Sequence, residues 1–189
     1  LTAAPVRLGH LPAPIDADHD SGPYITAGLL VARKPKPGAQ NVSINRVQVL
    51  QGARLQALLL PRHLAAYHRE AEALGQALDV AIVIGVDPLT LLASQAILPI
   101  DHDELEVAGA LHGRPLEVVK CLGSAIRVPA NAEIVIEGRI LPHVRETEGP
   151  FGEFPKYYSP QEAREVIEVT RVTHRREPIF HTIVPGEME

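Results

Sequence analysis

Two glutamates lie on either side of a segment that cannot be helical, and their type and spacing suit acid–base chemistry. Glu148 and Glu153 occur in the stretch EGPFGEF, with Gly149 and Pro150 directly after the first of them. A Gly-Pro step fixes a turn, so the two carboxyl groups can converge from either side of a loop. Two carboxylates held close together cannot both ionise cheaply, so one of them is expected to hold a proton and to serve as a general acid. A pair of exposed loop glutamates is the alternative that spacing alone leaves open.

A guanidinium between these two acids would hold one of them ionised and could bind a substrate carboxylate through two hydrogen bonds. Arg46, in the stretch NVSINR, is the candidate, and Asn41 lies five residues before it. Residues i and i+5 of a regular strand point to opposite faces, so both side chains reach one site only where the backbone is irregular. Otherwise Asn41 is a turn residue and Arg46 a surface charge.

Three polar residues, Asn41 and two others, have the chemistry of a cation site. Asn41 offers an amide oxygen, His63 in LPRHL a neutral imidazole, and Glu104 in DHDELEVAG a carboxylate. This mixed set suits Mn²⁺ or Mg²⁺ holding a phosphate better than it suits a structural zinc site. The three lie far apart in sequence without the spacing of a ligand motif. A structural role for His63 and compensation of a helix dipole by Glu104 therefore stay open as alternatives.

The elements that must position these residues follow an order of strands, helices and strands. Early strands are predicted at residues 24–35 and 41–50 and in LQALLLP. Helices are predicted at residues 63–78, 89–98 and 101–113, with an apolar strand at 79–88 between the first two. Late strands are predicted in PLEVVKCL, AIRVP, AEIVIEGRIL, EVIEVTRVTHR and PIFHTIV. This order predicts an α+β domain with a largely antiparallel sheet or small barrel and a helical insertion. It argues against a doubly wound fold, in which strands and helices alternate throughout.

Composition narrows the class of protein. The 189 residues suffice for one sizeable domain or two small ones, and the mean hydropathy of +0.03 is that of a globular chain. A net charge of −5 without a long basic run, together with few aromatic residues, excludes nucleic acid as the expected partner. The apolar runs are too short to span a bilayer, so no membrane partner is expected.

The single cysteine, Cys121, rules out a disulfide within the chain and favours a reducing compartment, so we predict a cytoplasmic protein. Because Cys121 lies in the alternating run LEVVKCL, it is predicted to be a core residue rather than a nucleophile. Glycine-rich phosphate loops and the Gly-x-Ser-x-Gly pattern of hydrolases do not occur.

The two ends of the chain suggest a fragment of a longer protein. The chain begins with Leu1 and stops at PGEME without a closing element. Residues 1–22 are rich in Pro, Ala and His and are predicted to form an irregular leading segment. The domain proper is predicted to occupy residues 23–189.

Several of these stretches, taken in order, resemble the UbiD family of prenylated-flavin-dependent decarboxylases. The motifs that carry the resemblance run from about residue 24 to residue 184; they are YITAGLLV, NVSINRVQVL, LPRHL, DVAIVIGVDP, DELEVAGALHGRPLEVVKC, VPANAEIVIEG and EGPFGEFPKYYS. The resemblance implies a domain like the split β-barrel of flavin reductases, in agreement with the order of elements above.

The resemblance also implies roles for individual residues. Asn41, His63 and Glu104 would be ligands of a Mn²⁺, with K⁺ nearby, that holds the cofactor phosphate. Arg46, Glu148 and Glu153 would form a network over the flavin, with Glu153 as the proton donor. The prenylated FMN site would be lined by Asn41, Val42, Ser43, Ile44, Asn45, Arg46, Arg62, His63 and Glu104.

By the same resemblance, the activity is a reversible, non-oxidative decarboxylation of an aromatic, heteroaromatic or α,β-unsaturated carboxylic acid through a covalent flavin adduct. Family members are more than twice as long, and segments absent here supply a cofactor-contacting lysine and the main oligomer interface. We therefore expect a homo-oligomer at full length and an isolated chain that is inactive or nearly so. A non-catalytic flavin- or metal-binding module and a cofactor-free domain fragment are the competing hypotheses.

Overall fold

The structure is a computed structural model and describes residues 8–35 and 38–185 of the chain. Within these ranges the strands are, in chain order, β1 (Tyr24–Ile25), β2 (Leu29–Arg33), β3 (Gln40–Ile44), β4 (Val47–Val49), β5 (Arg54–Ala57), β6 (Leu78–Ile84), β7 (Val118–Lys120), β8 (Arg127–Pro129), β9 (Ile134–Glu148), β10 (Phe151–Glu153), β11 (Tyr157–Ser159) and β12 (Glu162–His174). The helices are α1 (His63–Ala73), α2 (Pro88–Ala93) and α3 (Glu104–His112).

Eight of the described strands form one antiparallel sheet in the order β1-β4-β5-β12-β9-β6-β2-β3. The long strands β9 and β12 form its centre, and their pairing shifts register between Glu165 and Ile167 and again between Val169 and Arg171. Such irregularities let a long sheet bend, and here the sheet curves into a half-barrel. Gly138 lies at this bend, where a Cβ atom would come within 2.6 Å of the Glu168 carbonyl oxygen. The predicted α+β split barrel with mostly antiparallel strands is therefore confirmed.

Apolar side chains cover both faces of the sheet. On β2, Leu30 packs into the larger cluster with Ile82 and Ile136, and helix α1 covers that side. Leu29, the neighbouring residue on β2, points to the opposite face, towards the segment that bears α3 and the β7–β8 hairpin. A strand buried on both faces must be continuously apolar, which explains the unbroken run in this part of the sequence.

Helices α2 and α3 begin at aspartates that cap their N-termini, and α3 ends at a glycine that caps its C-terminus. The Asp87 carboxylate accepts hydrogen bonds from the Leu89 and Thr90 backbone N–H groups at 3.1 and 3.0 Å, and so caps α2. Asp103 caps α3 in the same way through the Leu105 N–H group, and Gly113 ends it with a left-handed backbone (φ +67°). Helix α3 therefore begins at residue 104 rather than 101. Helix α2 ends at residue 93 rather than 98, and a turn-rich connection follows it.

Some predicted elements differ from the structure. The run at residues 24–35 is divided into β1 and β2, and the run at 41–50 into β3 and β4. Residues 178–184, predicted as a strand, are irregular because side chains bind their backbone: the Glu133 carboxylate accepts from Ile179 N, and Thr26 Oγ1 accepts from Ile183 N. The described part of the leading segment, residues 8–22, contains a short 3-10 turn at Leu8–His10. Residues 1–7, 36–37 and 186–189 lie outside the described residues.

Among the described residues, none of the helices is both long enough and apolar enough to cross a membrane.

Cys121 is buried against the second apolar cluster, as predicted for a core residue. Burial, with the nearby Glu137 carboxylate as a smaller cause, raises the pKa of its thiol to about 11. Since the thiolate is the reactive species, we expect alkylation of native protein at pH 7.5 to leave the Cys121 peptide largely unmodified by mass spectrometry. Alkylation in denaturant should modify it fully. Equal labelling under both conditions would contradict the burial.

Candidate active site

The backbone break between β3 and β4 sets the position of Arg46. Strand β3 ends at Ile44 and β4 begins at Val47, so Asn45 and Arg46 lie between two regular segments. Asn45 stabilises the break by donating from Nδ2 to Ser43 Oγ at 2.9 Å. This is the irregular backbone that the spacing of Asn41 and Arg46 requires if both are to serve one site.

Arg46 bridges the two glutamates of the EGPFGEF stretch. Its Nη2 donates to Glu148 Oε2 at 2.9 Å, and its Nη1 donates to Glu153 Oε1 at 2.5 Å. The Glu148 side chain is 1% exposed and that of Glu153 is 33% exposed. Loss of the guanidinium would leave a carboxylate buried without its cation, which typically costs about 3–5 kcal/mol. The arrangement places one acid inside the protein and the other at its surface, on a shared cation.

The turn between the two acids lies at the Gly149–Pro150 step, as the sequence predicts. Glu148 is the last residue of β9, the Gly149–Pro150 peptide bond is cis, and Gly149 has a φ of +90° that favours glycine. Phe151 begins β10, and its ring lies 4.8 Å from the Arg46 guanidinium carbon. This ring stacks below the cation and limits where the guanidinium can lie.

Strands β10 and β11, which carry Glu153, form a small hairpin that was not predicted. Asp20, in the leading segment, accepts a hydrogen bond from Gly152 N at 2.7 Å and another from Ala17 N at 3.1 Å. His19 N donates to the Tyr158 hydroxyl at 3.2 Å. These hydrogen bonds hold the hairpin against the leading segment, although the sequence of that segment gave no indication of a role in the site.

Three polar residues near Glu148 were also missed. The Tyr24 hydroxyl donates to Glu148 Oε1 at 3.0 Å, Ser21 Oγ lies 3.0 Å from that hydroxyl, and Gln48 Nε2 donates to Ser21 Oγ at 2.9 Å. Burial raises the pKa of the Tyr24 phenol well above its usual range. The sequence did indicate that Tyr24 has a hydrogen-bond partner, because the hydroxyl of a buried tyrosine usually forms a hydrogen bond. The apolar run YITAGLLV gave no indication of which partner that is.

Asn41 and Glu104 form a second buried cluster at the other end of β3. Asn41 Nδ2 donates to Glu104 Oε1 at 2.9 Å, and Val42 N donates to Glu104 Oε2 at 2.6 Å. Burial raises the pKa of the Glu104 carboxyl, against the opposing effect of these hydrogen bonds. The Asn41 Oδ1 atom is buried without a hydrogen-bond partner among the described residues. An unpaired amide oxygen beside a buried carboxylate is the donor set that Mn²⁺ or Mg²⁺ prefers.

The other predicted ligand comes from helix α1. His63 is its first residue and is partly buried, and α1 packs against β3, as does α3 with Glu104. In the described part of the chain, no hydrogen bond joins His63 to Asn41 or Glu104. A cluster of three or more His, Cys, Asp or Glu side chains that could hold a metal is likewise absent from residues 8–35 and 38–185. Of the three predicted ligands, only His63 and Glu104 are of these residue types, because Asn41 carries an amide.

The remaining predicted cofactor contacts differ in exposure. Arg62 is exposed and Val42 is buried in the second apolar cluster. Ser43, Ile44 and Asn45 are partly buried and lie along the path from Asn41 to Arg46. Five residues of fully extended chain span at most about 17 Å, and because the strand breaks after Ile44 this is an upper limit on the separation between the cation-type cluster and the Arg46 cluster.

Comparison with known proteins identifies relatives along nearly the whole chain. Residues 1–188 match the family described as UbiD, 3-octaprenyl-4-hydroxybenzoate carboxy-lyase Rift-related domain. The anhydromevalonate phosphate decarboxylase of Methanothermobacter thermautotrophicus is 44% identical over 182 residues, covering 96% of this chain and 43% of the relative.

Two solved structures are also similar. An evolved dimeric form of the UbiD-class enzyme HmfF from Pelotomaculum thermopropionicum, in complex with prFMN, is 56% identical with a TM-score of 0.92, over 95% of this chain and 42% of that one. The closed form of Sedimentibacter hydroxybenzoicus vanillic acid decarboxylase is 35% identical with a TM-score of 0.89, over 94% and 39%. The chain thus spans about two fifths of the length of these relatives.

Proposed function

The chain belongs to the UbiD family, and from this premise we propose that it is the core of a reversible, non-oxidative decarboxylase. Its substrate would be an aromatic, heteroaromatic or α,β-unsaturated carboxylic acid, and its cofactor prenylated FMN. We further propose that residues 23–189 are the flavin-binding central domain of a longer, homo-oligomeric enzyme. The observation that carries this proposal is the pair of glutamates bridged by Arg46.

Bound prenylated FMN would supply the electron sink that loss of CO₂ from an sp² carbon requires and that no side chain offers. The buried Asn41–Glu104 cluster fits a role in anchoring it, because the unpaired Asn41 oxygen and the Glu104 carboxylate can coordinate a cation. With His63 they would hold Mn²⁺ against the cofactor phosphate, and K⁺ would bind nearby. Arg62 and residues 41–46 would line the rest of the site.

The chain's own residues would bind the substrate carboxylate and transfer the proton. Arg46 would orient the carboxylate, since a guanidinium binds planar anions through directed hydrogen bonds. Glu153, the more exposed acid, would carry a proton and deliver it to the carbon that the carboxylate has left. Glu148, buried behind the guanidinium, would hold the cation in place.

Reconstituting the full-length enzyme with prenylated FMN tests this proposal. Each acid of a panel that contains anhydromevalonate phosphate, vanillic acid and several heteroaromatic acids is assayed for CO₂ release. We expect release from at least one acid, and for that acid the exchange of labelled bicarbonate into unreacted substrate. Bound flavin without CO₂ release would favour a non-catalytic binding module, and absence of bound flavin would favour a cofactor-free domain.

A further inference from the structure

A chain of side-chain hydrogen bonds leads from Gln48 through the exposed Ser21 and the buried Tyr24 to Glu148. Tyr24 and Gln48 are cross-strand partners of β1 and β4, and Ser21, just before β1, lies between their polar ends. The Tyr24 ring packs against Phe151 with the ring centres 4.5 Å apart, which fixes the direction of its hydroxyl. The chain therefore connects the sheet edge to the buried acid.

The hydrogen bonds in this chain point in one direction. Since the Tyr24 phenol stays protonated at neutral pH, its single proton is donated to Glu148 Oε1. The Tyr24 oxygen must then accept from Ser21 Oγ, which in turn accepts from Gln48 Nε2. Each group can supply the required donor, and all of the donors are directed towards the Glu148 carboxylate.

The two glutamates therefore have unequal surroundings. Glu148 accepts from Tyr24 and Arg46, and Arg164 Nε lies 3.8 Å from its Oε2 atom. Glu153 is bonded to Arg46 and is partly exposed to water. Hydrogen bonds and cations that face a carboxylate favour its charged form.

Two other acidic groups near Glu148 are paired with partners of their own. Its cross-strand partner on β12 is Glu162, whose carboxylate pairs with Arg164. Asp20, in the leading segment, is directed to the Gly152 and Ala17 backbone N–H groups.

We propose that Tyr24 is a positioning residue which, with Ser21 and Gln48, keeps Glu148 ionised, so that the proton of the pair resides on Glu153. This inference rests on the proposed function and adds to it the reason why the two acids take different roles. Tyr24 itself does not reach the reacting atoms and acts through Glu148.

Replacing Tyr24 by Phe in the full-length enzyme loaded with prenylated FMN tests the proposal, because the ring is kept and only the donor is removed. We expect kcat at a fixed pH on the acid limb to fall about tenfold with KM within about twofold, because a hydrogen bond to a charged group is lost and a one-unit change in pKa is a tenfold change in the ionised fraction. The acid limb of the pH profile of kcat should move towards neutral pH by about one unit. Ser21→Ala should shift the limb in the same direction by a smaller amount, without altering the buried ring.

Neutron diffraction of deuterated crystals gives a readout independent of turnover. We expect the deuteron of the pair on Glu153, and the Tyr24 and Ser21 hydroxyl deuterons directed along the chain towards Glu148. In Tyr24→Phe the deuteron should be shared with Glu148. A deuteron on Glu148 in the unaltered enzyme, or a Tyr24 hydroxyl directed at Ser21, would overturn the proposal.

Tyr67→Phe is the matched control, since Tyr67 is also a buried tyrosine but its hydroxyl contacts Asp101 at 3.4 Å. This variant should leave the acid limb where it is. If neither Tyr24→Phe nor Ser21→Ala shifts the acid limb of the pH profile, the positioning role of Tyr24 is excluded while the proposed function stands. Full activity of Glu153→Gln would instead defeat the proposed function itself.

Discussion

Exchange of Glu153 for glutamine in the full-length enzyme is expected to lower kcat by about 10²–10⁴-fold, the usual contribution of a general acid. Glutamine has the same shape but holds no transferable proton. Arg46 can still donate to the side-chain oxygen of glutamine and remains bonded to Glu148, so the fold of the site should persist. Turnover with a competent acid, measured as CO₂ release, checks the prediction. Flavin absorbance of the purified variant should match that of the unaltered enzyme.

The matched control for this exchange is Glu146→Gln. Glu146 lies on β9 two residues before Glu148 and also pairs with an arginine, Arg54, at 2.5 Å, but both side chains of this pair are solvent-exposed. Surface ion pairs of this kind contribute about 0–1 kcal/mol, so activity should be unchanged. If Glu153→Gln retains turnover like Glu146→Gln, then Glu153 does not donate the proton.

The turn between the two acids could be predicted from local sequence, whereas the meeting of Arg46 with acids 102 and 107 positions away was implied by the family resemblance. The Gly149–Pro150 step favours a turn, and the i to i+5 spacing of Asn41 and Arg46 requires a break in the strand if both are to serve one site. Residue types at these positions were therefore informative without knowledge of the fold. The chemical roles of these residues are not contained in the geometry and stay predictions.

What the sequence could not show depends on contacts between distant parts of the chain. Tyr24 and Glu148 are 124 positions apart, and the tyrosine lies in an apolar run where its hydroxyl breaks no pattern. The three-residue strands β10 and β11 are too short to show an alternation of polar and apolar residues. Residues 178–184 do have a strand-like composition, but in the fold side chains of Thr26 and Glu133 take up their backbone N–H groups.

Exchange of Glu104 for glutamine in the full-length enzyme is expected to abolish the proposed binding of Mn²⁺ while preserving the fold. The amide oxygen of glutamine can still accept from Val42 N, so the buried backbone group keeps its partner. The proposed anionic ligand would be lost, however, and alteration of even the groups that support metal ligands typically costs about 10–100-fold in affinity. We expect at least about a 100-fold loss of Mn²⁺ affinity by elemental analysis and titration, with weaker retention of prenylated FMN. The thermal unfolding midpoint should change little.

Glu106→Gln distinguishes a ligand from a helix-dipole effect. Glu104 and Glu106 both lie in the first turn of α3, so both compensate the dipole, but Glu106 is exposed and Glu104 is buried beside Asn41. Loss of dipole compensation would cost each variant a similar 0.3–1 kcal/mol or so and would leave the metal bound in both. Loss of a ligand would empty the site in Glu104→Gln alone. Equal metal content in the two variants would therefore show that the buried carboxylate serves only to hold β3 against α3.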